Sequence, residues 1–369
     1  KLVNDGIELP LIKDNMQTKP VSDEVIETRF PSDEPINLSS SAVTTFYNNQ
    51  YKYFLQYVLG LQEVETIHPD ARNHGTYLHR VFELVMKDAS NQPFDNKLDR
   101  AIQTTNAEDA FKFIYEEDEE SRYSLTVLED IARSTATILR QDTQIQVENE
   151  EEPFELMLAN AVRIRGIIDR VDRLSDGSLG VVDYKSSHNT FDIQKFYNGL
   201  NPQLVTYMQA LRDKKIKSES DKIFGAMYLH MQEPKVDLSS VTTTEKILEN
   251  LSKELRYRGL FLEDEKGYLS NGNYHLNDSV YTQEELDILL AYNQKLFLQA
   301  AEQIKQGYFL INPYSEDGKT VKGDQLKAIT RFEADRHMPY ARKWLKLPRK
   351  DRRQGFLSLM QEEEEKDDL

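Results

Sequence analysis

The chain has 369 residues, with 63 acidic against 46 basic side chains, a net charge of −17 and no cysteine. This length allows roughly two domains or one large one. The lack of cysteine excludes disulfides, thiolate metal sites and cysteine nucleophiles. The negative charge argues against a uniformly basic surface that grips nucleic acid, but it allows a local groove.

No apolar run reaches the ~18 residues that a membrane span needs, and the first thirty residues lack the pattern of a secretion signal. We therefore expect a cytoplasmic protein without a membrane partner. The chain begins at Lys1 rather than at a methionine. We expect it to be part of a longer protein, with partners on the remaining part.

The first part of the chain predicts mainly helices. Residues 1–35 mix Pro, Asp and Glu with little periodicity, which predicts a connector. A serine cap and regularly spaced aromatic residues in NLSSSAVTTFYNNQYKYFLQYVLG predict one buried helix. A second helix is predicted from Gly75 in GTYLHRVFELVMKDA, and two more between about residues 100 and 147.

From Glu155 the composition changes to β-branched residues, which favours strands. Two strands are predicted in GIIDRVDRLSDGSLGVVDYKSS, then a helix in NPQLVTYMQALRDKK, a strand in KIFGAMYLHMQ and a long helix over 283–307. The predicted fold is α/β, a sheet core with flanking helices and a helical insertion.

The chain ends in a basic run and an acidic tail. Residues 336–353 carry eight Arg or Lys, and 362–368 read EEEEKDD. The basic run is interpreted either as a contact for DNA or a partner, or as a solvated face. The acidic tail, like the acidic runs at 116–120 and 150–152, is interpreted as solvated, and the tail is expected to be dispensable.

The turn between the two central strands decides which polar side chains meet. A three-residue loop at Ser175, Asp176 and Gly177 would place Asp169 opposite Asp183, with Lys185 on the same face. A two-residue Asp-Gly turn would place the two aspartates on opposite faces.

Two carboxylates brought together in an apolar sheet repel each other unless a cation is present. Oxygen ligands without thiolates favour Mg²⁺ or Mn²⁺ over zinc. A lysine beside them can orient a water or stabilise charge that develops on a phosphate, which suits phosphodiester hydrolysis. The alternative is a structural ion pair in which Lys185 only neutralises Asp183.

The motifs GTYLH, GIIDRVDRL, VVDYKSS and QLVTY occur in this order. Together they resemble the RecB-family branch of the PD-(D/E)xK nucleases, which have a restriction-endonuclease-like mixed sheet. The aromatic segment before them is similar to the entry of the nuclease domain in AddB and RexB, the B subunits of bacterial helicase–nuclease complexes. The resemblance implies a nuclease domain over 36–335, with 1–35 leading from a helicase-like region and 336–369 as an appended basic and acidic segment.

The resemblance also implies residue roles. The metal ligands would be His79, Asp169, Asp183 and the carbonyl of Tyr184, and Lys185 would be the catalytic lysine. Gln203 and Tyr207, four residues apart on one helix face, would support the site or touch the DNA backbone. Arg170 and Asp172 match the motif, and a structural role is at least as good an interpretation for them. Glu83, one turn beyond His79, would either contact the metal shell or lie on the helix surface, and the surface position is the safer interpretation.

One departure from AddB is important. Many AddB relatives hold an iron–sulfur cluster whose first cysteine lies in a Cys-Pro pair, and here that pair aligns with Asn49 and Gln50. We therefore expect no cluster, and packing by Tyr47, Tyr51 and Tyr53 to hold the ends of the domain together.

The resemblance implies an Mg²⁺-dependent exonuclease working beside a RexA- or AddA-like helicase–nuclease subunit. It would act on a single strand from an unwound end, cut the 5′-ended strand and resect double-strand breaks for recombinational repair. The alternatives are a non-catalytic DNA-binding or scaffolding domain that keeps the fold, and a RecB-like exonuclease that acts alone.

Overall fold

The computed structural model describes residues 16, 18–61, 69–141, 145–216, 220, 222–232, 243–270, 272–321 and 327–367. The predicted α/β architecture is confirmed. Within this part of the chain, one seven-stranded mixed sheet runs in the order β1-β3-β4-β5-β6-β7, and β2 pairs with β3. These strands are β1 (Ile36–Leu38), β2 (Ile145–Leu158), β3 (Val162–Leu174), β4 (Leu179–Lys185), β5 (Ile223–His230), β6 (Arg258–Leu262) and β7 (Val280–Tyr281).

Helices cover both faces of the sheet, and a small second sheet lies near the end of the chain. The helices are α1 (Asp23–Arg29), α2 (Ser40–Asn48), α3 (Gln50–Tyr53), α4 (Ala71–Lys87), α5 (Phe94–Ala107), α6 (Asp109–Tyr115), α7 (Glu119–Gln141), α8 (Ile193–Tyr197), α9 (Gln203–Arg212), α10 (Thr244–Glu254), α11 (Gln283–Lys305), α12 (Lys327–Thr330), α13 (Ala334–His337) and α14 (Arg352–Asp367). The small sheet pairs β8 (Tyr314–Ser315) with β9 (Arg342–Lys343). No helix among the described residues is both long and apolar enough to cross a membrane.

The sheet separates two hydrophobic cores because successive side chains of a strand point to opposite faces. In β4, Val181 belongs to the core that includes α2, α9 and α11, whereas Val182 and Tyr184 belong to the core that includes α4 to α7. Every residue of β4 before Lys185 is buried. The polar residues at the end of this strand therefore lie between two apolar layers.

The turn between β3 and β4 has the three-residue form. Leu174 donates its N–H to the carbonyl of Ser178 at 2.9 Å, and Gly177 has the positive φ of 89° that a glycine tolerates. The ladder runs from Arg173 opposite Leu179 to Arg170 opposite Val182. Continued by one pair, this register places Asp169 opposite Asp183, as predicted.

The helical part differs from the prediction in three places. The aromatic segment is not one helix: Ser39 caps α2, Asn49 is extended with φ −164° and caps α3, and a π-helix follows at Phe54–Val58. Helix α4 begins at Ala71, before Gly75, because Asp70 caps it. Among the described residues, three helices rather than two occupy the acidic stretch before β2.

The break at Asn49 joins distant parts of the chain. Gln50 donates its backbone N–H to Asn312 Oδ1 at 3.0 Å, and its side chain donates to Gln303 at 2.9 Å. Tyr47 and Tyr53 are buried, and Tyr51 is half-buried. Packing of this kind agrees with the expectation for a domain without cysteine.

The end of the chain is packed onto the core. Phe356, Leu357 and Met360 of α14 belong to the same core as α9 and α11. Arg342 of the basic run stacks on the Tyr47 ring at 4.5 Å, and Arg353 stacks on the Tyr281 ring at 4.0 Å. The apolar residues between the basic run and the acidic tail are therefore part of the core, and two of the eight cations are used inside the fold. That the acidic tail is dispensable stays a prediction.

We expect Leu357→Ala to lower the free energy of unfolding by about 2 kcal/mol or more, because it leaves a cavity under α14. Leu345→Ala is the matched control in the same segment, since Leu345 is 41% exposed against 3% for Leu357. Urea unfolding of both variants measures the difference. Equal stability of the two would mean that α14 is not docked.

Candidate active site

Three carboxylate residues lie side by side across the centre of the sheet. Asp183 lies on one side of Asp169, because β3 and β4 pair Arg170 with Val182 and these two residues come next in the same register. On the other side is Glu151, because β2 pairs Glu150 with Arg170 and Glu152 with Ile168. The row therefore runs Glu151, Asp169, Asp183 over three neighbouring strands.

Asp169 is held at the point where β4 separates from β3. Its Oδ2 accepts the backbone N–H of Tyr184 at 2.7 Å. Burial, and then the charge of Asp183, raise the pKa of Asp169 to about 8. A buried pair of carboxylates favours a proton or a cation beside it, and the nearby charge of Lys185 offsets only part of the rise in the pKa of Asp169.

His79 reaches the same point from α4. Its Nε2 lies 3.0 Å from the carbonyl oxygen of Tyr184, and its Nδ1 lies 3.6 Å from Asp169 Oδ2. Burial lowers the pKa of His79, which favours the neutral ring that binds metals. Helix α4 passes close to the end of β4 at Gly75, where a Cβ would lie 3.3 Å from Ser186 Oγ.

Asp183 is fixed from the opposite side by α9. Its Oδ1 accepts hydrogen bonds from Gln203 Nε2 at 2.8 Å and from the Tyr207 hydroxyl at 3.1 Å. Its Oδ2 forms an ion pair with Lys185. The side chain of Asp183 is 3% exposed and that of Lys185 is 27% exposed, so the lysine faces the solvent side of the pair.

The predicted site residues thus come together, and the structure adds one. Within the described residues, the ligand atoms that lie within 4.8 Å of one another belong to His79, Glu151 and Asp169. Asp183 lies beside this group, with its oxygens directed to α9 and Lys185. Its role as a metal ligand stays a prediction, since it requires Lys185 to leave the carboxylate.

Glu151 was missed because the acidic run 150–152 was interpreted as solvated. The signal was the hairpin at 159–161: pairing Leu158 with Val162 and counting back along β2 places Glu151 opposite Asp169. Its φ of 46° is unusual for a residue with a side chain. Burial raises the pKa of Glu151, and Glu83 raises it further.

Arg170 and Asp172 do not face this site. Arg170 is fully buried, and its guanidinium donates two hydrogen bonds of 2.7 Å to Asp172 and others to the hydroxyls of Tyr184 and Tyr257. These residues hold the opposite face of the sheet together. Glu83 forms ion pairs with Arg80 and Lys87 on α4.

The comparison with known families decides the classification. The model of the PD-(D/E)XK nuclease superfamily matches residues 37–320. The chain belongs to this superfamily. The resemblance predicted from the four motifs is therefore confirmed, and the mixed sheet flanked by helices fits the PD-(D/E)XK nuclease fold.

The chain is also similar to proteins that are named as B subunits of an ATP-dependent helicase/deoxyribonuclease. The relative from Streptococcus mutans is 68% identical over the whole chain, that from Streptococcus agalactiae 63% over the whole chain, and that from Streptococcus uberis 55% over 98% of it. The chain spans 34% of the length of each of these relatives. This similarity confirms the resemblance to the RexB and AddB type of nuclease domain.

Proposed function

We propose that the chain is a metal-dependent deoxyribonuclease domain that hydrolyses phosphodiester bonds at the site of Asp169, Asp183 and Lys185. The row of carboxylates across β2, β3 and β4 supports this proposal most strongly. Asp169 and Asp183 are largely buried whereas Glu151 is exposed. Two buried carboxylates cost free energy, so their alignment beside a histidine and a lysine calls for a ligand.

The donor set fits a divalent cation. His79, Glu151 and Asp169 offer one imidazole and two carboxylates within 4.8 Å of one another, and the carbonyl of Tyr184 lies beside His79. Oxygen donors of this kind suit Mg²⁺ or Mn²⁺. A divalent ion bound there would polarise a phosphate oxygen and make a water more acidic.

The protein residues have separate tasks in this proposal. Gln203 and Tyr207 hold the Asp183 carboxylate in one orientation through its Oδ1. The Lys185 ammonium, partly exposed next to it, donates to a non-bridging phosphate oxygen and stabilises the charge that develops there. His79, held by the Tyr184 carbonyl, completes the site from the α4 side.

The names of the relatives suggest a partner subunit and a DNA substrate for this domain. Each of those proteins is named as the B subunit of a helicase/deoxyribonuclease. We propose that this domain acts in the cytoplasm beside a RexA- or AddA-like helicase subunit, on a single strand from an unwound DNA end. Cutting of the 5′-ended strand during break resection, and the division of the chain after residues 35 and 335, belong to the same proposal.

The test compares end-labelled linear single-stranded DNA with a closed single-stranded circle, each with Mg²⁺, Mn²⁺ or EDTA. We expect the linear strand to be shortened only with the metal and the circle to persist, since an exonuclease needs an end. Cleavage of the circle at the same rate would contradict the exonuclease assignment. No cleavage of either substrate would favour the non-catalytic alternative.

We expect Glu151→Gln to weaken the rise in melting temperature that Mg²⁺ or Mn²⁺ causes, because it removes one charged ligand atom beside Asp169. A loss of metal affinity of about tenfold or more is expected. Glu152→Gln is the matched control, because Glu152 is the next residue of β2 and pairs with Ile168 rather than with Asp169. Equal metal-induced shifts in both variants would exclude Glu151 from the site.

A further inference from the structure

A buried histidine lies beside Lys185 and has no part in the proposed reaction so far. His230 is the last residue of β5, and the parallel register of β4 and β5 pairs it with Lys185. This histidine is 2% exposed. The next residue, Met231, donates its backbone N–H to the carbonyl of Lys185 at 2.8 Å. The ends of the two strands are therefore joined at the lysine that the proposed reaction needs.

The ring of His230 is bound to the loop that follows Lys185. Its Nε2 lies 3.0 Å from the backbone nitrogen of Asn189 and 2.7 Å from the carbonyl oxygen of the same residue. The ring therefore accepts the N–H in one tautomer and donates to the carbonyl in the other. Its Nδ1 is buried and has no hydrogen-bond partner among the residues that the structure describes. Nε2 is thus the atom through which this side chain holds the backbone of the loop.

The surroundings of His230 keep its ring neutral and in one orientation. Burial lowers the pKa of His230 to about 4, so the neutral ring is the form present at neutral pH. The ring of the exposed His188 stacks on it, with the centroids 5.0 Å apart and an angle of 18° between the planes. A buried and stacked ring has little room to rotate, so Nε2 stays directed at Asn189.

The loop 186–190 is at the surface and is held at two points. Four of its five residues are exposed. His230 binds it at Asn189, and at its far end Asn201 donates its side-chain N–H to the carbonyl of Thr190 at 2.8 Å. Lys185 directly precedes this loop, so the position of the loop determines the direction in which β4 ends.

We propose that His230 is a positioning residue for the nuclease reaction: by holding the backbone of Asn189, it keeps the end of β4 and the Lys185 ammonium in the place where the reaction uses them. The inference rests on the proposed function, because it concerns the placement of Lys185. It adds a residue outside the four sequence motifs and outside the row of carboxylates. A displacement of a reacting group by about 1 Å can lower a rate about a hundredfold, so His230 affects the rate without touching the substrate.

Two substitutions separate the ring from its nitrogen. His230→Phe keeps a planar ring and removes Nε2, whereas His230→Gln places an amide group near the position of Nε2. We expect His230→Phe to lower kcat for Mg²⁺-dependent cleavage of a linear single strand about ten- to a hundredfold. KM should stay close to that of the wild type, because the buried side chain does not bind the substrate. His230→Gln should recover most of kcat. Wild-type kcat for His230→Phe, or equal losses in the two variants, would overturn the proposal.

His337→Phe is the matched control. His337 is 3% exposed and accepts the backbone N–H of Glu333 through Nδ1 at 2.9 Å. Its ring packs on Phe332, which belongs to a small hydrophobic cluster separate from the two cores of the sheet. We expect this variant to keep the wild-type kcat, although it loses a hydrogen bond of the same kind. An equal fall of kcat in His337→Phe would show that the loss of any buried histidine slows the reaction, and would overturn the proposal.

Hydrogen exchange in EDTA tests the same contact without cleavage. In the wild type, the backbone N–H groups of Asn189 and Met231 are expected to exchange slowly, because they bond to His230 and to the Lys185 carbonyl. We expect both to exchange at least about tenfold faster in His230→Phe, since opening of the loop also frees the end of β4. Fast exchange of both groups in the wild type, or unchanged exchange in the variant, would overturn the proposal.

The positioning role and the proposed function can fail separately. A wild-type chain that cuts DNA, with His230→Phe equal to it in kcat and in exchange, would overturn the role of His230 and keep the nuclease. A chain whose exchange at Asn189 and Met231 depends on His230, but which never cuts DNA with Mg²⁺ or Mn²⁺, would keep the contact that places Lys185 and overturn the nuclease.

Discussion

Asp183→Ala and Lys185→Ala are each expected to reduce Mg²⁺-dependent cleavage of single-stranded DNA at least a hundredfold, the order of magnitude for one catalytic group of this kind. Asp183 supplies charge beside the proposed metal site, and Lys185 stabilises charge on the phosphate, so both losses fall on the transition state. Nuclease assays and thermal melts on the same samples measure the effect.

The structural alternative predicts another pattern. If Lys185 only neutralises Asp183, each substitution removes one member of the ion pair and leaves the other charge without its partner. The protein is then less stable, and activity falls only as it unfolds. In the catalytic account, Asp183→Ala also removes the repulsion with Asp169, so its melting temperature in EDTA stays close to that of the wild type. Lys222→Ala is the control, because Lys222 pairs with Asp176 at 3.5 Å and is 62% exposed. Variants that melt early and still cut at low temperature would contradict the catalytic assignment.

Arg170→Met is expected to destabilise the fold by about 3 to 5 kcal/mol, because it leaves the carboxylate of Asp172 buried without a partner. Both side chains are almost completely buried, at 0% and 2% exposure. Two tyrosine hydroxyls would also lose a hydrogen-bond donor. The measurement is urea unfolding, followed by circular dichroism.

Arg165→Met is the matched control for this prediction. Arg165 lies on the same strand and also pairs with a carboxylate, Glu155, but its side chain is 59% exposed. Exposed pairs of this kind contribute about 0 to 1 kcal/mol. Similar losses for the two variants would show that burial does not set the importance of the Arg170 pair.

The sequence allowed the central part of the fold to be predicted, because local rules decide it. The SDG turn limited the loop to two lengths, and the three-residue form found in the structure sets which side chains of β3 and β4 are neighbours. The spacing of Gln203 and Tyr207 by one helical turn likewise determines that both reach Asp183.

Other features depend on tertiary contacts that no local pattern displays. The aromatic segment has helical spacing throughout, but the helix is interrupted at Asn49. The backbone N–H groups of Gln50 and Tyr51, which follow, donate to Asn312 Oδ1 and to the carbonyl of Leu310. The acidic run around Glu151 has the composition of a solvated surface, and only its pairing with β3 brings it to Asp169. The acidic end of the chain hides the apolar residues with which α14 packs.

The proposed function requires a divalent metal beside Asp183, held by His79, Glu151 and Asp169. The most direct measurement follows the release of nucleotides from a linear single strand by the wild-type chain in EDTA, then after addition of excess Mg²⁺, with Asp183→Ala treated in the same way. We expect release to begin only when Mg²⁺ is added and only with the wild type. Release in EDTA, or equal release by Asp183→Ala, would contradict the claim.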